Sequence, residues 1–134
     1  MNYVLFGYET SCMKKLIPIL LALILSACGD RSLTASLSSL SPSGKTVINV
    51  SGKRQVGLDP FNITMEVNSG SNVVGSLQFE VAASMLDAGN VKFDWKDDSN
   101  CLITFTYSDG EKRVFRYYAT ESNVILEQVG TVNP

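Results

Sequence analysis

Residues 101–119, CLITFTYSDGEKRVFRYYA, decide the fold of this chain. Apolar and polar side chains alternate on both sides of Asp109-Gly110, and this alternation is typical of β-strands that bury one face. An Asp-Gly pair favours the positive φ angles of a tight hairpin turn. The stretch therefore predicts an antiparallel hairpin whose two strands flank residues 108–111.

The same period-two alternation recurs in the segments that precede this hairpin. It covers residues 61–67, 75–81 and 91–95. Residues 96–100, KDDSN, are turn-forming and connect the strand at 91–95 to the first strand of the hairpin. Three consecutive antiparallel strands are therefore expected at this end of the chain.

Weaker patterns complete a count of seven or eight strands. Residues 45–50 and 123–129 are plausible first and last strands. Residues 54–58 make a weak strand, which Asp59-Pro60 would end because proline cannot donate to a β-ladder.

These strands define an all-β domain over residues 45–134. Only residues 82–88 suit a helix, and Gly89 would end it after two turns. Short one-sided strands with turns about every eight to twelve residues are typical of a small antiparallel β-sandwich or barrel. The pattern does not separate those two architectures.

The N-terminal region follows a different pattern. Lys14 and Lys15 precede an apolar run at residues 16–25, and the small residues Ser26 and Ala27 come next. That order is typical of a secretory signal peptide. A transmembrane helix is the alternative, but a run this short rises only about 15 Å, against the roughly 30 Å of a bilayer's hydrocarbon core.

The tetrad Leu25-Ser26-Ala27-Cys28 resembles the lipobox of bacterial lipoproteins. The resemblance implies a diacylglyceryl thioether on Cys28, cleavage directly before it, and a further acyl chain such as palmitate on the new amino terminus. Two or three acyl chains anchor a protein stably to a membrane. Because Gly29 rather than aspartate follows the cysteine, the family's sorting rule implies the inner leaflet of the outer membrane, facing the periplasm.

The chain is therefore expected to comprise four segments. They are an upstream extension at 1–12, the signal peptide at 13–27, a lipid anchor with a flexible linker at 28–44, and the β-domain at 45–134. Met13-Lys14-Lys15 resembles a signal-peptide start, so translation is expected to begin at Met13. The linker prediction follows from a serine-rich, weakly charged composition. A short amphipathic helix through Leu33, Leu37 and Leu40 is the alternative.

Composition excludes several kinds of chemistry. The mature chain would carry nine basic and twelve acidic residues, a net charge of −3, which argues against a nucleic-acid partner. The chain has no histidine, so a Ser-His-Asp arrangement is impossible. With Cys28 alkylated, Cys101 has no partner for an intramolecular disulfide and is expected to be a buried apolar residue. No cofactor is expected apart from the covalent lipid.

The loop that contains Asp97, Asp98 and Asn100 is a candidate binding loop. With Asp94 it forms the densest acidic cluster in the chain, so an acid–base pair or a weak cation site are alternatives. A simpler interpretation is that the two loop carboxylates stabilise the turn by accepting bonds from backbone amides. We therefore assign no catalytic or metal-ligating residue here.

A second candidate surface is the basic and aromatic strand that carries Lys112, Arg113, Arg116 and Tyr118. Arginine and tyrosine are frequent anchors at protein interfaces, so this strand could face an acidic partner. The alternative is that its charges protect an edge strand from aggregation.

The sequence thus favours a non-enzymatic binding or inhibitory module that is anchored in the cell envelope and engages an envelope protein. The alternative is a structural or assembly accessory of a larger envelope complex, acting by strand addition at a sheet edge.

The lipobox resemblance predicts that cells fed an acyl-chain analogue will label the wild-type chain and will not label Cys28→Ser, because serine lacks the nucleophilic thiol. Gel fluorescence of the purified proteins measures the label. Equal labelling of both proteins would contradict the assignment of Cys28.

Overall fold

A computed structural model describes residues 32–55, 57 and 59–134. The predictions for the upstream extension, the signal peptide and Cys28 lie outside the described residues. Among the residues described, no helix is long and apolar enough to span a membrane.

The described part of the chain contains eight β-strands and no helix. The strands are β1 (Leu33–Leu40), β2 (Thr46–Arg54), β3 (Phe61–Ser69), β4 (Asn72–Val81), β5 (Val91–Asp97), β6 (Asn100–Thr106), β7 (Lys112–Ala119) and β8 (Val124–Val132).

The strands form two four-stranded sheets, and every neighbouring pair is antiparallel. Sheet 1 has the order β1-β2-β3-β4, and sheet 2 has the order β5-β6-β7-β8. The all-β prediction is therefore confirmed, and the two separate sheets identify a β-sandwich.

The core lies between the inner faces of the two sheets. Phe79 of β4 stacks on Phe115 of β7 with ring centroids 4.3 Å apart, and it forms a T-shaped pair with Phe105 of β6 at a centroid distance of 5.0 Å. Buried inner positions alternate with more exposed outer positions along β2, β3 and β6, as the period-two pattern predicts. The fully buried members are Ile48, Val50, Phe61, Ile63, Met65, Val67, Val81, Cys101, Ile103, Phe105 and Phe115.

The hairpin at residues 101–119 is confirmed. The Tyr107 amide donates to the Glu111 carbonyl at 2.8 Å, and the Gly110 amide donates to the Tyr107 carbonyl at 3.0 Å. Gly110 has a φ of 90°, a conformation that glycine adopts without steric cost. The loop thus has the three-residue form in which glycine takes the last, left-handed position.

The linker prediction is wrong for residues 33–40, which form β1 and pair with β2 over eight consecutive positions. Ala35 and Leu37 turn inward and pack against the core, and their polar neighbours face solvent. Serine and threonine fit the outer positions of a strand, so the serine-rich composition concealed a period-two pattern. The folded domain therefore includes residues 33–40 in addition to the residues from 45 onward that were predicted.

The strand predicted at residues 54–58 is also wrong, because β2 ends at Arg54. Residues 55 and 57 belong to no strand, and β3 begins at Phe61, opposite Val81 of β4. At the end of β2, Arg54 bonds to the segment that follows β4: Nη1 donates to the Ala83 carbonyl at 3.0 Å and Nη2 donates to the Ser84 carbonyl at 2.8 Å.

The helix predicted at residues 82–88 does not form. Residues 82–90, the crossover segment, connect β4 of sheet 1 to β5 of sheet 2 without regular structure. Leu86 is 6% exposed and belongs to the core. Its side chain occupies the space that a side chain at position 52 would need, because a Cβ atom on Gly52 would stand 2.7 Å from Leu86 Cδ2. Tertiary packing thus overrides the local helix propensity.

Candidate binding surface

The predicted binding loop is the two-residue hairpin between β5 and β6, and its two carboxylates are engaged in the fold. Asp97 Oδ1 accepts the Ser99 amide at 2.7 Å. Asp98 Oδ1 accepts the Ser43 amide at 2.9 Å, which fastens this hairpin to the turn between β1 and β2. The turn-stabilising interpretation of both aspartates agrees with this geometry.

The environment of Asp98 favours its ionised form. Hydrogen bonds from the hydroxyl and the backbone amide of Ser43, and from the hydroxyl of Ser41, hold the pKa of Asp98 below the ordinary aspartate value. Within the described residues, no group of three acidic or cysteine side chains could hold a metal ion.

Asn100 differs from the two aspartates because it lies on β6 opposite Tyr118 of β7. The predicted loop and the predicted strand therefore meet at this pair. Tyr118 is 40% exposed and has Ile125 of β8 on its other side.

The strand that carries the basic and aromatic residues, β7, lies between β6 and β8. The edge-protection alternative is therefore wrong, because β7 has a hydrogen-bonded neighbour on each side. A central strand is held on both sides, so it presents its outer side chains from a rigid position.

Three of the four predicted residues, Lys112, Arg116 and Tyr118, share the outer face of sheet 2, whereas Arg113 does not. The period of two places Arg113 on the side of the buried Phe115 and Tyr117. Its guanidinium lies 4.4 Å from the Tyr107 ring centroid, and Nε donates to Glu111 at 2.7 Å. The hydrogen bond to Glu111 raises the pKa of Arg113. Arg113 therefore stabilises the hairpin.

The surface also contains residues that sequence reasoning missed. Arg116 lies between Leu102 of β6 and Glu127 of β8, and it donates to Glu127 at 2.6 Å. Val132, which is 57% exposed, lies opposite Lys112. The period of two in β6 and β8 could have assigned these residues to the outer face. Which of them are neighbours across the sheet depends on the pairing register of the strands, which the sequence alone does not give. We call Asn100, Leu102, Lys112, Arg116, Tyr118, Ile125, Glu127 and Val132 the sheet 2 surface.

Cys101 is buried on the inner face of β6, as predicted. Burial raises the pKa of its thiol to about 12. The thiolate, which is the reactive form, is therefore scarce at neutral pH.

The chain matches no protein-family model, no curated protein and no solved structure.

The Ser43–Asp98 contact predicts that the Ser43 amide resonance will shift as the pH is lowered, with a midpoint below the ordinary aspartate pKa. A lowered pKa in the folded state means that this contact stabilises the fold at higher pH and is lost as the pH falls through that folded pKa. A two-dimensional amide titration by NMR measures the midpoint. Asp98→Asn is the control and should abolish the transition; a midpoint at or above the ordinary value would contradict the contact.

Proposed function

We propose that this chain is a lipid-anchored envelope protein whose β-sandwich acts as a non-enzymatic binding or inhibitory module in the periplasm. In this proposal the sheet 2 surface engages an envelope protein. The observation that carries it is the placement of Tyr118 and Arg116 on the outer face of a central strand, beside half-exposed apolar residues.

The composition of this surface suits protein recognition. Tyr118 offers a large ring with a polar tip, and it is flanked by Asn100 and Ile125. Arg116, whose side chain is 44% exposed, has donors beyond the one that bonds Glu127. Interface energies concentrate in such aromatic and arginine side chains when neighbouring contacts exclude water.

Charge indicates the chemistry of the partner. Lys112 and Arg116 lie on this surface with Glu127 as its one acidic member, whereas the whole chain has a net charge of −2. The surface is therefore locally more basic than the chain as a whole. This difference favours a partner with an acidic patch.

Because residues 33–40 form β1 and not a linker, the segment between Cys28 and the folded domain is short, and this limits how far the partner can lie from the membrane. If Cys28 carries the lipid, five residue steps separate it from Leu33, the first residue of β1, and these can span at most about 18 Å. The domain would then lie close to the bilayer surface. A partner close to the same membrane is favoured over one deep in the periplasm.

The proposal predicts that a crosslinked pull-down from intact cells making the tagged full-length chain will recover one abundant envelope protein. Replacing Tyr118 and Arg116 together by alanine should reduce its recovery by at least about ten-fold, because both anchors are lost. Mass spectrometry measures the recovery.

The matched control replaces Lys53 and Gln78 by alanine, since both are exposed on the outer face of sheet 1. Recovery should equal wild type in this control, and circular dichroism should show both variants folded. Equal recovery from the two double variants would contradict the role of the sheet 2 surface. Recovery of several subunits of one assembly would favour the accessory function instead.

A further inference from the structure

Within the part of the chain that the structure describes, the two open sheets have four edge strands, which are β1, β4, β5 and β8. An edge strand presents a row of unpaired backbone N–H and C=O groups that can pair with another strand. Charged side chains, prolines and β-bulges commonly block such pairing.

Three of the four edges carry such a feature. On β5, Lys92, Asp94 and Lys96 introduce charge, and the ladder is irregular between Trp95 and Asp97. On β8, Glu127 is charged, and the register with β7 shifts beside it.

The third protected edge, β4, carries Glu80 and lies alongside β8. A Cβ atom on Gly75 of β4 would stand 3.5 Å from a Val124 methyl group. The two strands therefore cover one another at the side of the sandwich.

The remaining edge, β1, carries none of these features. Its sequence, LTASLSSL, contains no charged residue, proline or glycine, and its ladder with β2 runs without a shift. Among the described residues, no further backbone hydrogen bond reaches residues 33–40 from the side opposite β2. Leu33 and Leu40 at its ends are 49% and 62% exposed.

We propose that β1 is a self-association edge, at which a second copy of this chain adds its own β1 antiparallel to form a continuous eight-stranded sheet. This inference goes beyond the proposed function, because it uses neither the lipid nor the sheet 2 surface. The two copies are related by a two-fold axis perpendicular to the sheet. Each copy uses its β1 edge in this pairing, so association stops at a dimer.

A second copy fits because β1 is complementary to itself. With the axis at Ser36, Ser36 lies opposite its own copy, Thr34 lies opposite Ser38, and Ala35 lies opposite Leu37. Hydroxyls then meet hydroxyls on the outer face, and apolar side chains meet on the inner face. Shifting the axis to Leu37 pairs that leucine with its own copy and Ser36 with Ser38. Neither register brings like charges together.

Disulfide trapping tests the inference in the full-length chain. In cells co-expressing Ser36→Cys and Ser38→Cys with different tags, mild oxidation should crosslink two Ser36→Cys chains if the axis lies at Ser36, and one chain of each kind if it lies at Leu37. In both cases the opposed Cβ atoms lie about 4.5–5.5 Å apart. The matched control is the pair Ser51→Cys and Asn49→Cys, because these residues are the cross-strand neighbours of Ser36 and Ser38 one strand inward. The control and the unsubstituted chain should remain uncrosslinked.

A second measurement needs no added cysteine. Light scattering of the detergent-solubilised wild-type chain should show dimers, and replacing Ser36 and Ser38 together by lysine should weaken the dimer more than about ten-fold through like-charge contact. The pair Ser51→Lys and Asn49→Lys should leave it unchanged. A wild-type monomer at all concentrations would overturn the proposal, as would trapping of a different protein at position 36 or 38.

Discussion

The packing of Leu86 against Gly52 is the constraint on which the sandwich depends. The two sheets are separate meanders, and the crossover segment is the stretch of chain that leads from one to the other. Its path brings Leu86 into the core at the one position of β2 that lacks a side chain. A crossover held away from the core would leave the Leu86 side chain and the apolar surface beside Gly52 in water, at about 25 cal/mol for each Å² exposed.

Burying an irregular segment requires partners for its backbone, and the fold supplies them from distant elements. Arg54 donates to two crossover carbonyls and stacks over Phe61 with its guanidinium carbon 4.5 Å from the ring centroid. The Ser108 amide donates to the Ala82 carbonyl at 2.8 Å. This last bond joins the crossover to the hairpin that begins β7, so the strand that presents the sheet 2 surface is fixed to sheet 1 at that end.

Prediction from sequence succeeded where the signal is local. Strands β3 to β8 carry a period of two or clear turn residues, and each was predicted within a few positions. The failures have two causes. In β1 the serine-rich composition concealed a period of two. The helix at 82–88 is prevented by Gly52 and Arg54, about thirty residues earlier. In the candidate site, alternation could assign Arg113 to the inner side, whereas the Ser43–Asp98 contact spans 55 residues and has no local signature.

The role of the crossover is tested most directly by replacing two adjacent residues, Met85 and Leu86, by alanine one at a time and comparing the free energies of unfolding. Leu86 is 6% exposed and Met85 is 62% exposed, so the pair shares a backbone environment and differs in burial. Denaturant titration should show that Leu86→Ala loses about 2–5 kcal/mol, while Met85→Ala loses no more than about 0.5 kcal/mol. Equal and small losses in the two variants would mean that the crossover merely connects the sheets, and would contradict this account of how they share a core.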